Sequence, residues 1–307
     1  MRIAVLGGGE FGRGLSMAAA REGHEVRLWS RGARDLDKVR TTTNIADARE
    51  CELIVLAVPS PWVPDVADQL APHLDGRHYL VHISRGLIGD ELQPISKVLR
   101  ARTPAHRVGA IAGPLIAGAL VEGRPSGAIV GTRFPEVADA VREALGSKRL
   151  RVYDTEDVVG VEVASAMVGL FALTIGYAQA LHVDGATLAV FLTRAMAEAA
   201  RLVPSLGADP STLYGLAGFG DLIAVVAGED RPEVKLGEAL ATGKSLREAG
   251  ASAGAHIEGV SIAARLAAHA ERLKLDAPIT RAIVEVLEGG SPQAALAALM
   301  ARRVGSE

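Results

Sequence analysis

The stretch "MRIAVLGGGEFGRGLSMAAAREGHEVRLWSR", residues 1–31, decides the fold of this chain of 307 residues. It begins with a short apolar run, Ile3 to Leu6, of the kind found in buried parallel strands. Gly7, Gly9 and Gly12 then give the spacing G-x-G-x-x-G, followed by a helical pattern and a second apolar run, "EVRLW". Strand, glycine turn, helix and strand in this order predict the beginning of a doubly wound α/β sheet.

Each glycine of this turn has a physical task. Gly7 permits the tight turn, Gly9 lets a pyrophosphate approach the backbone, and Gly12 lets the helix pack closely on the strand. The first amides of the following helix point towards the phosphates. The stretch therefore predicts a dinucleotide cofactor.

The end of the second strand bears on the choice of cofactor. A site that prefers NAD usually has Asp or Glu there for the ribose hydroxyls, whereas this chain has Arg31, with Arg34 close behind. Guanidinium groups suit a 2′-phosphate, so the sequence favours NADP(H) over NAD(H). The alternative is that both arginines are ordinary solvated surface.

Apolar runs and helical patterns continue to alternate through the first half of the chain. Further strands are predicted in "CELIVLAVP", which ends at Pro59, in "HYLVHIS", which leads to Arg85, in "RVGAIAGP", which leads through Gly113, and in "SGAIVG". This alternation predicts a mostly parallel sheet, whose ligands bind at the carboxyl ends of the strands. Pro59, Arg85 and Gly113 fall at such ends and are site candidates.

From about Asp154 the strand signals stop. Alanine-rich helical patterns follow at 158–181, 186–206, 233–242, 260–273 and 279–288. We predict a Rossmann domain over residues 1–154 and an all-α domain over residues 155–307, with the substrate in the cleft between them.

The stretch "EVASAMVGLFALTIGYAQAL", residues 162–181, carries no charge after Glu162. It is close to the length of about 20 residues that a membrane helix needs. It is also rich in small residues, and no Lys or Arg stands close to either end as an orientation signal. We interpret it as a helix buried on all sides in a soluble domain, and we predict no membrane association.

Composition narrows the remaining classes of function. The chain is 49% hydrophobic and 22% charged with a net charge of -3, so it has no basic excess for nucleic acid. The lone Cys51 excludes a disulfide framework and fits a reducing, cytoplasmic environment, and no Cys/His cluster has zinc-site spacing. The expected partner is a small-molecule substrate.

Several stretches match a known family, among them "GGGEFGRGLS", "LAVPS", "SRGLI", "AGPLIAGALVEGRPSGAIV", "DVVGVE", "GLAGFGDLI" and "HIEGV". Over nearly its whole length the chain resembles NAD(P)-dependent glycerol-3-phosphate dehydrogenases. The resemblance implies hydride transfer between a nicotinamide and a CH–OH or C=O group. It also implies a helical domain like the C-terminal domain of 6-phosphogluconate dehydrogenase, and a homodimer as the assembly to expect.

The resemblance also assigns site residues. Its cofactor contacts are Gly7, Gly9, Glu10, Phe11, Gly12, Arg31, Pro59, Arg85, Ala117 and Glu258. Its substrate contacts are Gly113, Leu115, Val168, Asp221 and Arg231, and its catalytic candidates are Arg85 and Asp221.

The sequence departs from the family at the residues that handle the substrate. A Lys-Gly pair of the family is Arg85-Gly86 here, and a polar residue after the Gly-Pro is Leu115. The family's Lys-Asn pair, whose Lys is the general acid/base, falls without gaps on Val168-Gly169. Val168 cannot donate the proton that reduction of a carbonyl needs.

The phosphate-binding triplet of the family, Ser-Arg-Asn, falls without gaps on Arg231-Pro232-Glu233. Glu233 would repel a phosphate at close range, although a slip of one residue would bring Arg231 into the phosphate position. Asp221 is retained. It either orients a water or forms a salt bridge with Arg85, or it caps the start of a helix after Gly220.

Three functions stay open on these residues. The first is a reductase or dehydrogenase whose carbonyl, imine or hydroxy substrate is not glycerol 3-phosphate. The second is a divergent glycerol-3-phosphate dehydrogenase that uses Arg85, Asp221 and Arg231, and the third is a cofactor-binding sensor or scaffold without activity. Side chains that offer a replacement acid, if they are not structural, are those of His82, Tyr177, His182 and Tyr214.

Overall fold

A computed structural model describes residues 1–32, 35–228, 231–253 and 257–302. Arg34, and His256 of the quoted "HIEGV", lie outside the described residues. The strands are β1 (Arg2–Leu6), β2 (Glu25–Trp29), β3 (Arg40–Thr42), β4 (Leu53–Leu56), β5 (Tyr79–His82), β6 (Arg107–Ala112), β7 (Ser126–Thr132) and β8 (Leu150–Thr155).

These strands form one sheet in the order β3-β2-β1-β4-β5-β6-β7-β8. Every neighbouring pair is parallel except β6 and β7, which run antiparallel. The chain leaves β1 towards β2 and later returns on its other side as β4, so the strand order reverses between β1 and β4. Such a reversal is where doubly wound sheets bind their ligands. The predicted mostly parallel sheet is confirmed.

Helices cover both faces of the sheet, because both faces of its central strands are apolar. In β1, Ile3 and Val5 point into one core cluster and Ala4 and Leu6 into another, as the two-residue period of a strand requires. The helices of this half are α1 (Glu10–Arg21), α2 (Val63–Leu70), α3 (Ile95–Arg102), α4 (Ala117–Glu122) and α5 (Pro135–Leu145).

The second half is helical, as predicted. Its helices are α6 (Val158–Ala180), α7 (Gly185–Leu202), α8 (Asp221–Val226), α9 (Pro232–Ala241), α10 (Leu246–Ala253), α11 (Glu258–Arg272), α12 (Pro278–Leu287) and α13 (Pro292–Met300). All five predicted helical regions are present, while α8, α10 and α13 are additional. The division into domains at residue 154 stays a prediction, since α6 packs on β6 and β7 as well as on helices.

Helix α6, whose one charged residue is Glu162, lies in the centre of this half. It is long and apolar enough to cross a membrane, but 94% of its most apolar window is buried within the protein. Two glycines bring α9 unusually close to it. A Cβ on Gly176 would lie 2.0 Å from the carbonyl oxygen of Val234, and one on Gly237 would lie 2.0 Å from that of Leu173. The interpretation of α6 as a buried core helix agrees with this packing.

Glu162 is buried in the second turn of α6, and its carboxylate connects α6 to the sheet half. It accepts hydrogen bonds from the backbone N and the Oγ of Ser96, both at 2.7 Å, in the first turn of α3. Its Oε1 also lies 3.0 Å from Nε2 of His82, at the end of β5. The carboxylate thus fixes three elements relative to one another. This contact gives His82, one of the candidate replacement acids, a structural partner.

We predict that Glu162→Ala lowers the free energy of unfolding by about 2–5 kcal/mol, because it leaves the buried amide and hydroxyl of Ser96 without an acceptor. Glu162→Gln keeps one acceptor oxygen and should lower it by less. Urea denaturation measures both changes. Glu143→Ala, at an exposed position on α5, is the control and should stay within about 0.5 kcal/mol of the parent. Equal stability of the two alanine variants would contradict the structural role of Glu162.

Candidate functional site

The glycine turn lies where the strand order of the sheet reverses. Gly7 has a φ of +134°, and a Cβ there would lie 2.3 Å from the carbonyl oxygen of Ala57, just after β4. A Cβ on Gly12 would lie 1.8 Å from the carbonyl oxygen of Gly7. Both positions therefore exclude a side chain. A Cβ on Gly9 would meet nothing within 4 Å, so the space beside this residue is open.

This open space faces the beginning of α1, where Glu10 and Phe11 are the first two residues. Ala117, the first residue of α4, lies beside α1, since a Cβ on Gly14 would be 3.0 Å from its carbonyl oxygen. A pyrophosphate needs backbone amides, a helix start and room at the middle glycine. The turn supplies all three, so the predicted cofactor contacts of this part of the chain fit a dinucleotide.

Arg31 follows β2 at the same edge of the sheet. Its guanidinium carbon lies 5.7 Å from the centre of the Trp62 ring, within range of a cation–π contact. Trp62 is half exposed, and no pattern in the sequence predicted a role for it. The pair places a cation and an aromatic face side by side, which can receive the adenosine end of a dinucleotide.

Pro59 precedes the 3-10 turn Ser60–Trp62 at the carboxyl end of β4. The buried carboxylate of Glu258, at the start of α11, accepts hydrogen bonds from the backbone N of Ser60 at 2.6 Å and from its Oγ. A Cβ on Gly86 would lie 1.6 Å from Oε2 of Glu258. The glycine after Arg85 is therefore required, because only glycine leaves room for this carboxylate. Burial raises the pKa of Glu258 to about 6, against the opposing effect of its bonds to Ser60.

Arg85 follows β5 and meets the helical half of the chain. Its Nη2 donates to Oδ2 of Asp221 at 2.9 Å, and its Nη1 lies 3.8 Å from Oε1 of Glu233. Asp221 is fully buried and also accepts from both terminal nitrogens of Arg231, at 3.3 Å from Nη1 to Oδ2 and more closely from Nη2 to Oδ1. One carboxylate thus holds two guanidinium groups in one cluster.

The cluster sets the charge states of its arginines. Burial opposes the positive charge of Arg85, but the carboxylates of Asp221, Glu233 and Glu258 outweigh it and raise the pKa of Arg85. Burial and the neighbouring charge of Arg85 lower the pKa of Arg231, although Asp221 opposes that effect. Arg85 is the more accessible of the two, with a side chain that is 20% exposed against 6% for Arg231. Arg85 is therefore the cation that a substrate can reach.

The two alternatives for Asp221 can be separated. Asp221 is the first residue of α8, and the hydrogen bonds described for its carboxylate come from Arg85 and Arg231, not from the amides of that helix. The Asp221 carboxylate turns to the arginines instead. The structure therefore supports the interpretation that Asp221 forms a salt bridge with Arg85.

Helix α6 passes the cluster at Gly169. A Cβ on Gly169 would lie 3.2 Å from Cδ of Arg85 and 3.7 Å from Oε1 of Glu233. Val168 is 1% exposed and belongs to the core around α6, and Leu115 is 2% exposed and belongs to the core on one face of the sheet. At the cluster itself, α6 contributes Gly169. The residue of α6 that faces it has no side chain.

Some of the predicted substrate and catalytic residues contact one another, whereas Val168 and Leu115 are buried in the core. Arg85, Asp221 and Arg231 are in direct contact, and Gly113 lies after β6 with a φ of +120° against the backbone of Gly127. The contact of Arg85 with Glu233, that of Arg31 with Trp62 and that of Ser60 with Glu258 were not predicted. They join residues on different elements, and no local sequence pattern reports such pairs.

Chemically, the cluster can bind and polarise one substrate oxygen. A guanidinium donates planar hydrogen bonds and keeps its charge, so Arg85 can stabilise negative charge that develops on an oxygen. It is a poor proton donor for the same reason. Asp221 holds it in place through a charge-assisted hydrogen bond.

Comparison with known proteins identifies the family. The model of the NAD-dependent glycerol-3-phosphate dehydrogenase N-terminus matches residues 2–45 and 36–138, and that of the C-terminus matches residues 157–298. The chain is 31% identical to a glycerol-3-phosphate dehydrogenase [NAD(P)+] of Acinetobacter baumannii, over 95% of this chain and 87% of the relative. It is also 31% identical to that of Desulfitobacterium hafniense, over 98% and 91%.

A solved structure agrees with these relatives. The crystal structure of a glycerol-3-phosphate dehydrogenase from Coxiella burnetii superposes with a TM-score of 0.91 at 25% identity. The match covers 98% of this chain and 99% of that one. The agreement therefore extends over both halves of the fold.

Because burial raises the pKa of Glu258 from 4.5 to about 6, this group stabilises the fold most at low pH. Its contribution is fully present below pH 4.5 and is lost as the pH rises through 6. We predict that the parent protein loses about 2 kcal/mol over this range relative to Glu258→Gln, which cannot titrate. Urea denaturation of both proteins over a pH series measures the difference. If the difference in the free energy of unfolding between the two proteins stays constant, or if the parent becomes relatively more stable as the pH rises, the pKa of Glu258 is not raised.

Proposed function

The chain belongs to the NAD-dependent glycerol-3-phosphate dehydrogenase family and is an NAD(P)-dependent oxidoreductase acting on CH–OH donors, and within this family we propose that its substrate is a small hydroxy, carbonyl or imine compound without a phosphate group. One observation carries the proposal. The residue of α6 that lies beside Arg85 is Gly169, so α6 places no polar or cationic side chain at this point. The carboxylate of Glu233 lies beside Gly169 instead.

The residues of the chain divide the work in this proposal. The glycine turn and the start of α1 bind the pyrophosphate, and Arg31 beside Trp62 binds the adenosine end. Arg85 donates hydrogen bonds to the substrate oxygen, while Asp221 orients Arg85. A nicotinamide bound there would supply or accept the hydride, and because Arg85 keeps its proton, the proton on the substrate oxygen would be exchanged with solvent water.

A second candidate is dihydroxyacetone phosphate reduction, the reaction that the names of the relatives suggest. The identity of 31% over almost the whole chain favours it, and so do the two guanidinium groups of Arg85 and Arg231. Against it stands Glu233, whose carboxylate is beside Arg85. The two candidates differ in the charge that the site must accept.

The test is a turnover assay of the full chain, followed by the absorbance of the reduced nicotinamide. One arm contains dihydroxyacetone phosphate, and the other arms contain unphosphorylated hydroxyketones, ketoacids and cyclic imines, each with NADPH and with NADH. We expect turnover in an unphosphorylated arm that exceeds the phosphate arm by about tenfold or more in kcat/KM, which corresponds to about 1.4 kcal/mol of transition-state binding. Faster turnover of dihydroxyacetone phosphate would establish the second candidate. Cofactor binding with no turnover in any arm would leave both candidates without support.

For the cofactor we propose NADP(H) as the preferred form, since Arg31 stands where an acidic residue would bind the ribose of NAD. We predict that Arg31→Glu weakens NADPH binding by about tenfold or more and leaves NADH binding unchanged or stronger. Fluorescence titration of each cofactor measures this, with Arg100→Glu at an exposed position of α3 as the matched control. If NADPH affinity survives in Arg31→Glu, the arginine does not read the 2′-phosphate.

A further inference from the structure

The beginning of α9 has the features of an anion site. Two guanidinium groups, those of Arg85 and Arg231, lie close to it, and a helix of 10 residues starts at Pro232. A helix N-terminus carries a partial positive charge, and its first amides are free to bind an anion. A phosphorylated substrate would find the attraction it needs at such a place.

The carboxylate of Glu233 already lies at the beginning of α9. Glu233 lies in the first turn of α9, and its Oε1 is 3.8 Å from Nη1 of Arg85. The other terminal nitrogen of Arg85, Nη2, is bonded to Asp221. Carboxylates thus lie against both ends of the guanidinium. The Glu233 side chain is 13% exposed, so it remains at the accessible side of the cluster, while Asp221 is enclosed.

The position of Glu233 is set by the packing of α9 on α6. Its Oε1 lies 3.7 Å from where a Cβ of Gly169 would be, and the close approach of the two helices at Gly176 and Gly237 leaves α9 little freedom to move away. A substrate group that reaches Arg85 past α6 therefore meets the Glu233 carboxylate.

We propose that Glu233 is a specificity-determining residue, which occupies the anion site at the start of α9 and thereby excludes phosphorylated substrates in favour of neutral ones. This inference rests on the proposed function. A dianion at this place would be repelled by the Glu233 charge at a distance of a few ångströms in a partly buried setting, whereas a neutral hydroxyl or carbonyl oxygen would not. Arg85 keeps N–H groups enough to bind one such oxygen.

The experiment measures binding and does not depend on turnover. The full chain, saturated with NADP⁺, is titrated calorimetrically with inorganic phosphate and with glycerol 3-phosphate. We expect Glu233→Gln to bind both about tenfold or more tightly than the parent protein. Glu238→Gln, at an exposed position of the same helix, is the matched control and should bind them as the parent does.

A conservative variant separates charge from structure. Glu233→Asp keeps the carboxylate and should exclude phosphate as the parent does, whereas a purely structural role of Glu233 would make both variants behave alike. The inference is overturned if Glu233→Gln binds glycerol 3-phosphate no better than the parent protein. That result would leave the proposed function intact if an unphosphorylated compound is turned over. Conversely, if the chain turns over no unphosphorylated compound, the proposed function is wrong. The phosphate affinities of the Glu233 variants test the role of Glu233 separately.

Discussion

A buried glutamate that accepts hydrogen bonds from a distant helix start is the interaction on which the arrangement of this molecule depends. Glu162 accepts from the backbone N and Oγ of Ser96, and Glu258 accepts from the same two atoms of Ser60. A buried carboxylate is costly unless such donors satisfy it, so each pair permits only one placement of its two elements. Both glutamates belong to the helical half and both serines to the sheet half. These two pairs of hydrogen bonds hold the helical half against the sheet half around Arg85.

The Glu258 contact extends directly into the chemistry. Gly86 must lack a side chain to admit this carboxylate, and Arg85 precedes it, so the backbone that carries the exposed cation is fixed by the contact. Asp221 then fixes the far end of the Arg85 side chain. A guanidinium held at both ends loses little entropy when it binds a substrate oxygen, which is the benefit of a preorganised site. The same rigidity keeps Arg85 beside Glu233.

Local patterns in the sequence predicted the sheet, the glycine turn and the main helices, because these follow from the spacing of apolar residues and glycines along a single element. The contact of Arg85 with Asp221 was also within reach, since both residues stand out as polar groups in a family site. The hydrogen bonds from Arg231 to Asp221 were not predicted, and neither were those from Ser96 to Glu162 and from Ser60 to Glu258. These pairs join elements that are far apart in sequence, and only the three-dimensional packing brings them together. Leu115 and Val168, two of the predicted substrate contacts, both have side chains in the core, and their place there could not be predicted from their positions in the chain.

The glycine on α6 and the carboxylate of Glu233 on α9 are parts of one local arrangement around Arg85. A lysine or asparagine on α6 at the cluster needs space, whereas Gly169 lets Arg85 and Glu233 approach the helix backbone. Further along, Gly176 and Gly237 bring α9 into backbone contact with α6, and α9 carries Glu233 at its start. Gly169 and the close approach of α6 and α9 therefore allow Arg85 and Glu233 to meet beside the backbone of α6.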